Sequence, residues 1–80
     1  MKYIIFIKND CPYCVDAASL LESKGLNYSS VVFRKDQEDI LKEVKNAFEW
    51  QTVPIIVERN EGHTKLIGGY TDLVEYLKDE

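Results

Sequence analysis

Near the start of this 80-residue chain, Tyr3-Ile4-Ile5-Phe6-Ile7 is an unbroken β-branched and aromatic run, and it restricts the fold more than any other feature. A strand with one solvated face alternates apolar and polar residues. A continuous run instead marks a strand covered on both faces, and such strands lie centrally in sheets flanked by helices. Residues 2–7 are therefore read as a central strand, closed by the polar Lys8-Asn9-Asp10. The run is far short of the roughly 20 apolar residues that span a bilayer.

The rest of the chain supplies the neighbours that such a strand needs. After Pro12, Cys14, Ala18 and Leu21 recur at helical spacing with Leu20 beside them, and Lys24-Gly25 provides a C-terminal stop. Residues 27–33 form a second β-rich segment, and from about Asp36 a stripe of Ile40, Leu41, Val44, Ala47 and Phe48 predicts a second helix. The apolar runs Pro54–Glu58 and Thr64–Ile67 flank Arg59-Asn60-Glu61-Gly62, whose Asn and Gly suit a hairpin turn, so they should pair antiparallel. Gly68-Gly69 breaks the chain, and Tyr70, Leu73, Val74 and Leu77 space out a last amphipathic helix, with Thr71 or Asp72 expected as its cap. The order β-α-β-α-β-β-α contains no repeat or linker. It predicts one α/β domain over residues 1–80, a four-stranded mixed sheet with helices on its faces.

Composition narrows the function. With 45% apolar residues and a net charge of −4, the chain should fold as a globular protein. An acidic excess with no Lys/Arg cluster along the sequence argues against a nucleic-acid partner. No basic and apolar leader precedes the first strand, so the expected location is the cytoplasm, away from membranes. In a reducing compartment, two closely spaced cysteines in a small chain point to catalysis or metal binding rather than to a structural disulfide framework.

Those cysteines are Cys11-Pro12-Tyr13-Cys14. Proline is favoured at the first helical position because its missing N–H would be unpaired there anyway, which makes Cys11 the N-cap. An N-cap side chain faces free N–H groups, here of Tyr13 and Cys14, at the positive end of the helix dipole. Helix-terminal cysteines accordingly reach pKa values of roughly 3.5–7.5 instead of about 8.5, and Lys8 adds a nearby positive charge. Cys11 is thus the expected attacking thiolate, and Cys14, one turn on with its sulfur inward, the resolving thiol. Two inert buried thiols fit the strand-to-helix junction poorly. A structural zinc site needs a full tetrahedral ligand set, and the remaining ligand of the usual kind is His63, in a hairpin remote in sequence and read as an exposed strand residue. No metal is expected.

Beyond this local chemistry, the sequence resembles glutaredoxins. The dithiol Cys11-Pro12-Tyr13-Cys14, the segment Thr52-Val53-Pro54 and the segment Gly68-Gly69-Tyr70-Thr71-Asp72 match three motifs of that family in order, over nearly the whole chain. The resemblance implies a thioredoxin-like fold and a glutathione-dependent oxidoreductase that reduces protein–glutathione mixed disulfides and protein disulfides as an electron donor in redox homeostasis. Glutathione would be a co-substrate, with no permanently bound cofactor. Protein partners would be disulfide-bearing or glutathionylated, ribonucleotide reductase being a candidate, and the protein a monomer.

Each residue carried over has a physical rationale. Pro54 would be a cis-proline beside the cysteines, leaving the Val53 backbone, after Thr52, to pair with the cysteinyl part of glutathione. Gly69, Tyr70, Thr71 and Asp72 would receive the γ-glutamyl end: backbone N–H groups for its carboxylate, the Asp72 carboxylate for its ammonium. Lys8 and Gln51 would meet the glycine carboxylate, and Tyr13 would line the groove. Tyr70 stands where many relatives carry Cys or Ser. Phe48 and Trp50 read as core or groove wall, with no chemistry assigned. Two rivals remain: a hydrogen donor recharged by thioredoxin reductase, which usually lacks the Gly-Gly-x-Thr-Asp segment, and an iron–sulfur carrier in which two chains and two glutathiones hold a [2Fe–2S] cluster through Cys11. The second suits relatives with one cysteine or a small residue in place of Pro12.

Overall fold

A computed structural model of the protein describes residues 2–78. Its elements are β1 (Lys2–Lys8), α1 (Pro12–Ser23), β2 (Tyr28–Phe33), a 3-10 turn (Lys35–Gln37), α2 (Glu38–Phe48), β3 (Ile55–Asn60), β4 (His63–Gly68) and α3 (Tyr70–Leu77). The strands form one mixed sheet in the order β2-β1-β3-β4, with β1 parallel to β2 and the other two pairs antiparallel. The apolar run thus lies centrally, as its pattern requires. This is the four-stranded mixed sheet that the element order predicted and the thioredoxin-like arrangement that the resemblance implied.

One face of β1 is fully covered at Tyr3 and Ile5, whereas the other, carrying Ile4 and Phe6, is only half-buried, short of the burial on both faces that the run predicted. Tyr3 and Ile5 point to one side, where they form a buried cluster with Ala17 and Leu21 of α1, Ile56 of β3, and Leu73 and Leu77 of α3. Burying side chains of this size stabilises by about 1.5–3 kcal/mol each, before the entropy of ordering them. On the other side Phe6 meets Phe33 and Phe48, with ring centroids 6.4 and 5.7 Å away, so α2 covers that face in part.

Turn chemistry sets the connections. Gly25 adopts φ 67°, its N–H bonds the Glu22 carbonyl at 3.0 Å, and Leu26 N–H bonds the Leu21 carbonyl at 3.1 Å, which ends α1 in a Schellman turn. The hairpin bend is Glu61-Gly62, with φ 49° and 85°, and Asn60 pairs with His63 across it. On β4 the register skips Ile67, since Ile56 faces Gly68 while Val57 faces Leu66. Such a bulge bends the strand end, here just before the chain enters α3.

Three expectations shift. The inner line of α1 is Cys14, Ala17 and Leu21, with Ala18 and Leu20 only half-buried; Ala17 and Ala18 flank the same face, and the sheet takes the former. The second helix starts at Glu38, because Arg34 N–H is taken up by Gln37 Oε1 at 3.0 Å across the 3-10 turn, and of its stripe Ile40 and Ala47 face solvent. The cap of α3 is neither Thr71 nor Asp72 but Gly69, in an extended conformation. Asp72 sits at the third helical position and reaches back, accepting the Gly69 N–H at 3.0 Å, so its carboxylate holds the helix start from inside.

Candidate functional site

The reactive end of the molecule lies where β1 hands over to α1. Asp10 turns the chain through φ 60°, a left-handed conformation that short polar residues tolerate better than most. Cys11 follows in an extended conformation as the N-cap, with Pro12 as the first helical residue. Cys14 N–H donates to Cys11 Sγ at 3.3 Å, so the sulfur occupies the helix N-terminus where a developing negative charge is stabilised. The two cysteines are joined as a disulfide, with Cα atoms 5.2 Å apart. Their access is unequal. Cys11 keeps 9% of its surface and Cys14 1%, so an incoming disulfide meets Cys11 first.

The loop before β3 packs onto that sulfur: Val53 O lies 3.9 Å from Cys11 Sγ, and the Val53–Pro54 peptide is cis. Beside it opens a recess of about 340 Å³. Thr52, Val53 and Pro54 form one wall, and Gly69, Tyr70, Thr71 and Asp72 another. Tyr13 and Tyr70 stack at the rim, ring centroids 6.1 Å apart and 29° between planes, with Tyr13 62% exposed. Tyr70, Thr71 and Asp72 are the first three residues of α3, where backbone N–H groups have no intrahelical acceptor. Leu73 N–H is the first to bond back, to Gly69 O at 3.0 Å. Gly68 has to be glycine: it adopts φ 125°, and a Cβ there would stand 2.7 Å from Asp72 Oδ2. Asp72 Oδ1 has no hydrogen-bond partner among the described residues.

Two placements extend the sequence reading. Trp50, given no chemistry, walls this recess, and its indole Nε1 is buried without an acceptor among the described residues. Lys8 and Gln51 do not line it. They belong to a second groove of about 630 Å³ that also takes in Asn9, Asp10, Phe33 and Arg34. Lys35, Lys42 and Lys45 edge that groove too, so the absence of a Lys/Arg cluster holds along the sequence but not in space. The strand-to-helix junctions bring these cations together, and no linear spacing announces it. His63 is an exposed residue of β4. Among the described residues no group of three or more His, Cys, Asp or Glu could hold a metal ion, and no helix is long and apolar enough to cross a membrane.

Comparison with known proteins agrees with this geometry. The glutaredoxin family model matches residues 3–62, a stretch that ends before the Gly68–Asp72 segment. Glutaredoxin 1 of Escherichia coli K12 is 33% identical, over 99% of this chain and 95% of its own. Glutaredoxin 1 of Rickettsia prowazekii is 34% identical, over 95% of this chain and 77% of its own. Among solved structures, the buckwheat glutaredoxin–glutathione complex superposes with a TM-score of 0.77 at 25% identity, over 96% of this chain and 68% of that one. Glutaredoxin 1 from Francisella tularensis, complexed with cacodylate, shares the fold with a TM-score of 0.74 at 24% identity, over 98% and 93% of the two chains. The protein therefore belongs to the glutaredoxin family of thiol–disulfide oxidoreductases, with Cys11 and Cys14 as its redox-active pair.

Proposed function

We propose that the protein uses glutathione to reduce protein–glutathione mixed disulfides and protein disulfides. The observation that carries this reading is the position of Cys11 Sγ, at the α1 N-terminus, 3.9 Å from the Val53 carbonyl and beside a recess that ends on the free N–H groups of α3. A volume of about 340 Å³ suits a small molecule, since such sites run to about 300–1,000 Å³. The buckwheat relative's complex with glutathione points the same way.

In this reading glutathione lies across the Thr52-Val53-Pro54 loop, its cysteinyl backbone pairing with Val53. Its α-carboxylate meets the N–H groups of Tyr70 and Thr71 after Gly69, and its ammonium meets Asp72. Tyr13 covers the rim, and the glycine carboxylate reaches toward Lys8 and Gln51, which line the second groove. The Cys11 thiolate attacks the glutathione sulfur of a mixed disulfide; the protein thiolate leaves and takes up a proton. A second glutathione thiolate then attacks the glutathione sulfur held on Cys11, releasing glutathione disulfide and the Cys11 thiolate. With a protein disulfide, Cys11 opens the bond, Cys14 attacks Cys11 Sγ and expels the second protein thiolate. The Cys11–Cys14 disulfide that results is reopened by two glutathiones.

The test couples reduction of the hydroxyethyl–glutathione mixed disulfide to glutathione reductase and NADPH. Wild type and Cys14→Ser should both turn over, Cys11→Ser should fall to the uncatalysed rate, and only Cys14→Ser should lose most protein-disulfide reduction. Equal loss in the two variants on the mixed disulfide would refute the division of labour. Recharging by thioredoxin reductase alone would refute the glutathione dependence.

A further inference from the structure

The second groove is larger than the glutathione assignment needs. It runs from the end of β1 past the β2–α2 junction and along one face of α2, where Glu38, Leu41, Lys42 and Lys45 follow helical spacing. Lys8, Arg34, Lys35, Lys42 and Lys45 line it, five of the ten Lys and Arg in a chain of net charge −4, against the acids Asp10 and Glu38. Little of this charge is neutralised. Arg34 pairs with the exposed Asp36 at 3.3 Å, while the four lysines make no ion pair among the described residues. Phe33 and Leu41, 7% and 4% exposed, give the groove an apolar floor. Its lining comes within one residue of the reactive cysteine, because Asp10 immediately precedes Cys11, and Gln51 leads into the Thr52-Val53-Pro54 loop that packs on the sulfur.

We propose that this groove receives an acidic polypeptide segment of the protein substrate, lying next to the disulfide presented to Cys11. The proposal rests on disulfide exchange at Cys11 and names the class of protein that such exchange favours. A concentrated patch of unpaired cations on an otherwise acidic molecule steers a locally acidic chain into one orientation, and a concave low-dielectric wall focuses that field. An extended polyanion is a poorer fit. The remaining surface repels it, and the aromatic ring in the groove, Phe33, is buried and offers no face on which a base could stack.

The experiment compares two synthetic peptides of equal length, each with one internal disulfide, followed by Asp-Glu-Asp-Glu in one and Ser-Gln-Ser-Gln in the other. Wild type at low salt should reduce the acidic peptide with kcat/KM about ten-fold above the neutral one, and high salt should erase the difference. The combined variant Lys35→Ser, Lys42→Ser, Lys45→Ser should lose the preference while its rates on the neutral peptide and on the hydroxyethyl–glutathione mixed disulfide stay at wild-type level. Equal rates on the two peptides, a preference that survives in the combined variant, or inhibition by oligothymidine as strong as by the acidic peptide would overturn the proposal. A wild type that shows the preference yet ignores the glutathione mixed disulfide would sink the glutathione reading and uphold the groove.

Discussion

Two recesses flank the Cys11 region, lined by residues on either side of it in the chain, and they are built differently. The smaller depends on backbone conformation: the Val53–Pro54 peptide, the first turn of α3, and Gly68 close to Asp72, with the rings of Tyr13, Tyr70 and Trp50 around it. The larger is made of long side chains from three separate segments set over an apolar floor. A backbone recess demands particular residues at particular places, because a Cβ or a missing N–H spoils it. A side-chain groove needs only enough cations within reach, wherever in the chain they start.

The largest expected effect separates the supports of the two. Leu73 is fully buried in the cluster that holds α3 to the sheet, whereas Leu41, 4% exposed, lies under an open groove. Leu73→Ala should cost about 2–5 kcal/mol, a large share of the stability of so small a chain, and Leu41→Ala should fall at the lower end because the open side lets neighbours settle into the gap. Urea midpoints at constant slope would measure both. The reverse order would mean that α2, not α3, is the more tightly packed support.

Next come changes to the smaller recess alone. Asp72→Ala removes the acceptor of the Gly69 N–H and the anion at the helix start. KM for the glutathione mixed disulfide should rise about ten-fold, the scale of one charge-assisted hydrogen bond, with the acidic-peptide preference unchanged. Gly68→Ala should do the same without touching a charge, since its Cβ would push the carboxylate away. If Gly68→Ala bound glutathione normally, the placement of Asp72 would not matter to the site. Lys8 lines the larger groove, and the proposed glutathione pose also uses it. Lys8→Gln should therefore weaken both readouts together, by about three-fold each, as expected of one exposed charged contact; loss of only one would assign Lys8 to that recess alone.

That difference in material explains what could be read from the sequence. Tyr3–Ile7 announced a central strand because an apolar run without polar alternation marks a strand flanked on both sides, although its Ile4 and Phe6 face is only half-buried. Cys11-Pro12 announced a helix start because proline suits the first helical position, and Gly25 and Gly62 announced turns that need positive φ. The backbone recess showed itself for the same reason, as Thr52-Val53-Pro54 and Gly68–Asp72. The cap of α3 was misplaced by two or three residues, since an aspartate at the third helical position reaching back looks in sequence like an aspartate capping from the front. The basic groove was not legible at all. Residues 8, 34, 35, 42 and 45 share no period, and only the parallel pairing of β1 with β2 sets Lys8 opposite Phe33, beside Arg34.

The smallest expected effect concerns Trp50, the wall residue that motif reading left without a role. Its ring is held at the recess with Gly69 close by, yet its Nε1–H is buried without a partner among the described residues. An unpaired buried donor destabilises the folded state, because the hydrogen bond it made to water is lost and not replaced. Trp50→Phe keeps an aromatic wall and deletes the donor, so the lost contact area and the removed penalty oppose each other. Thermal unfolding should shift by less than about 1 kcal/mol in either direction. KM for the glutathione mixed disulfide should also hold if the ring serves only as a wall. A clear rise in KM with unchanged stability would instead make the indole N–H a donor used by bound substrate, and the smaller recess would then depend on a side chain as well as on backbone.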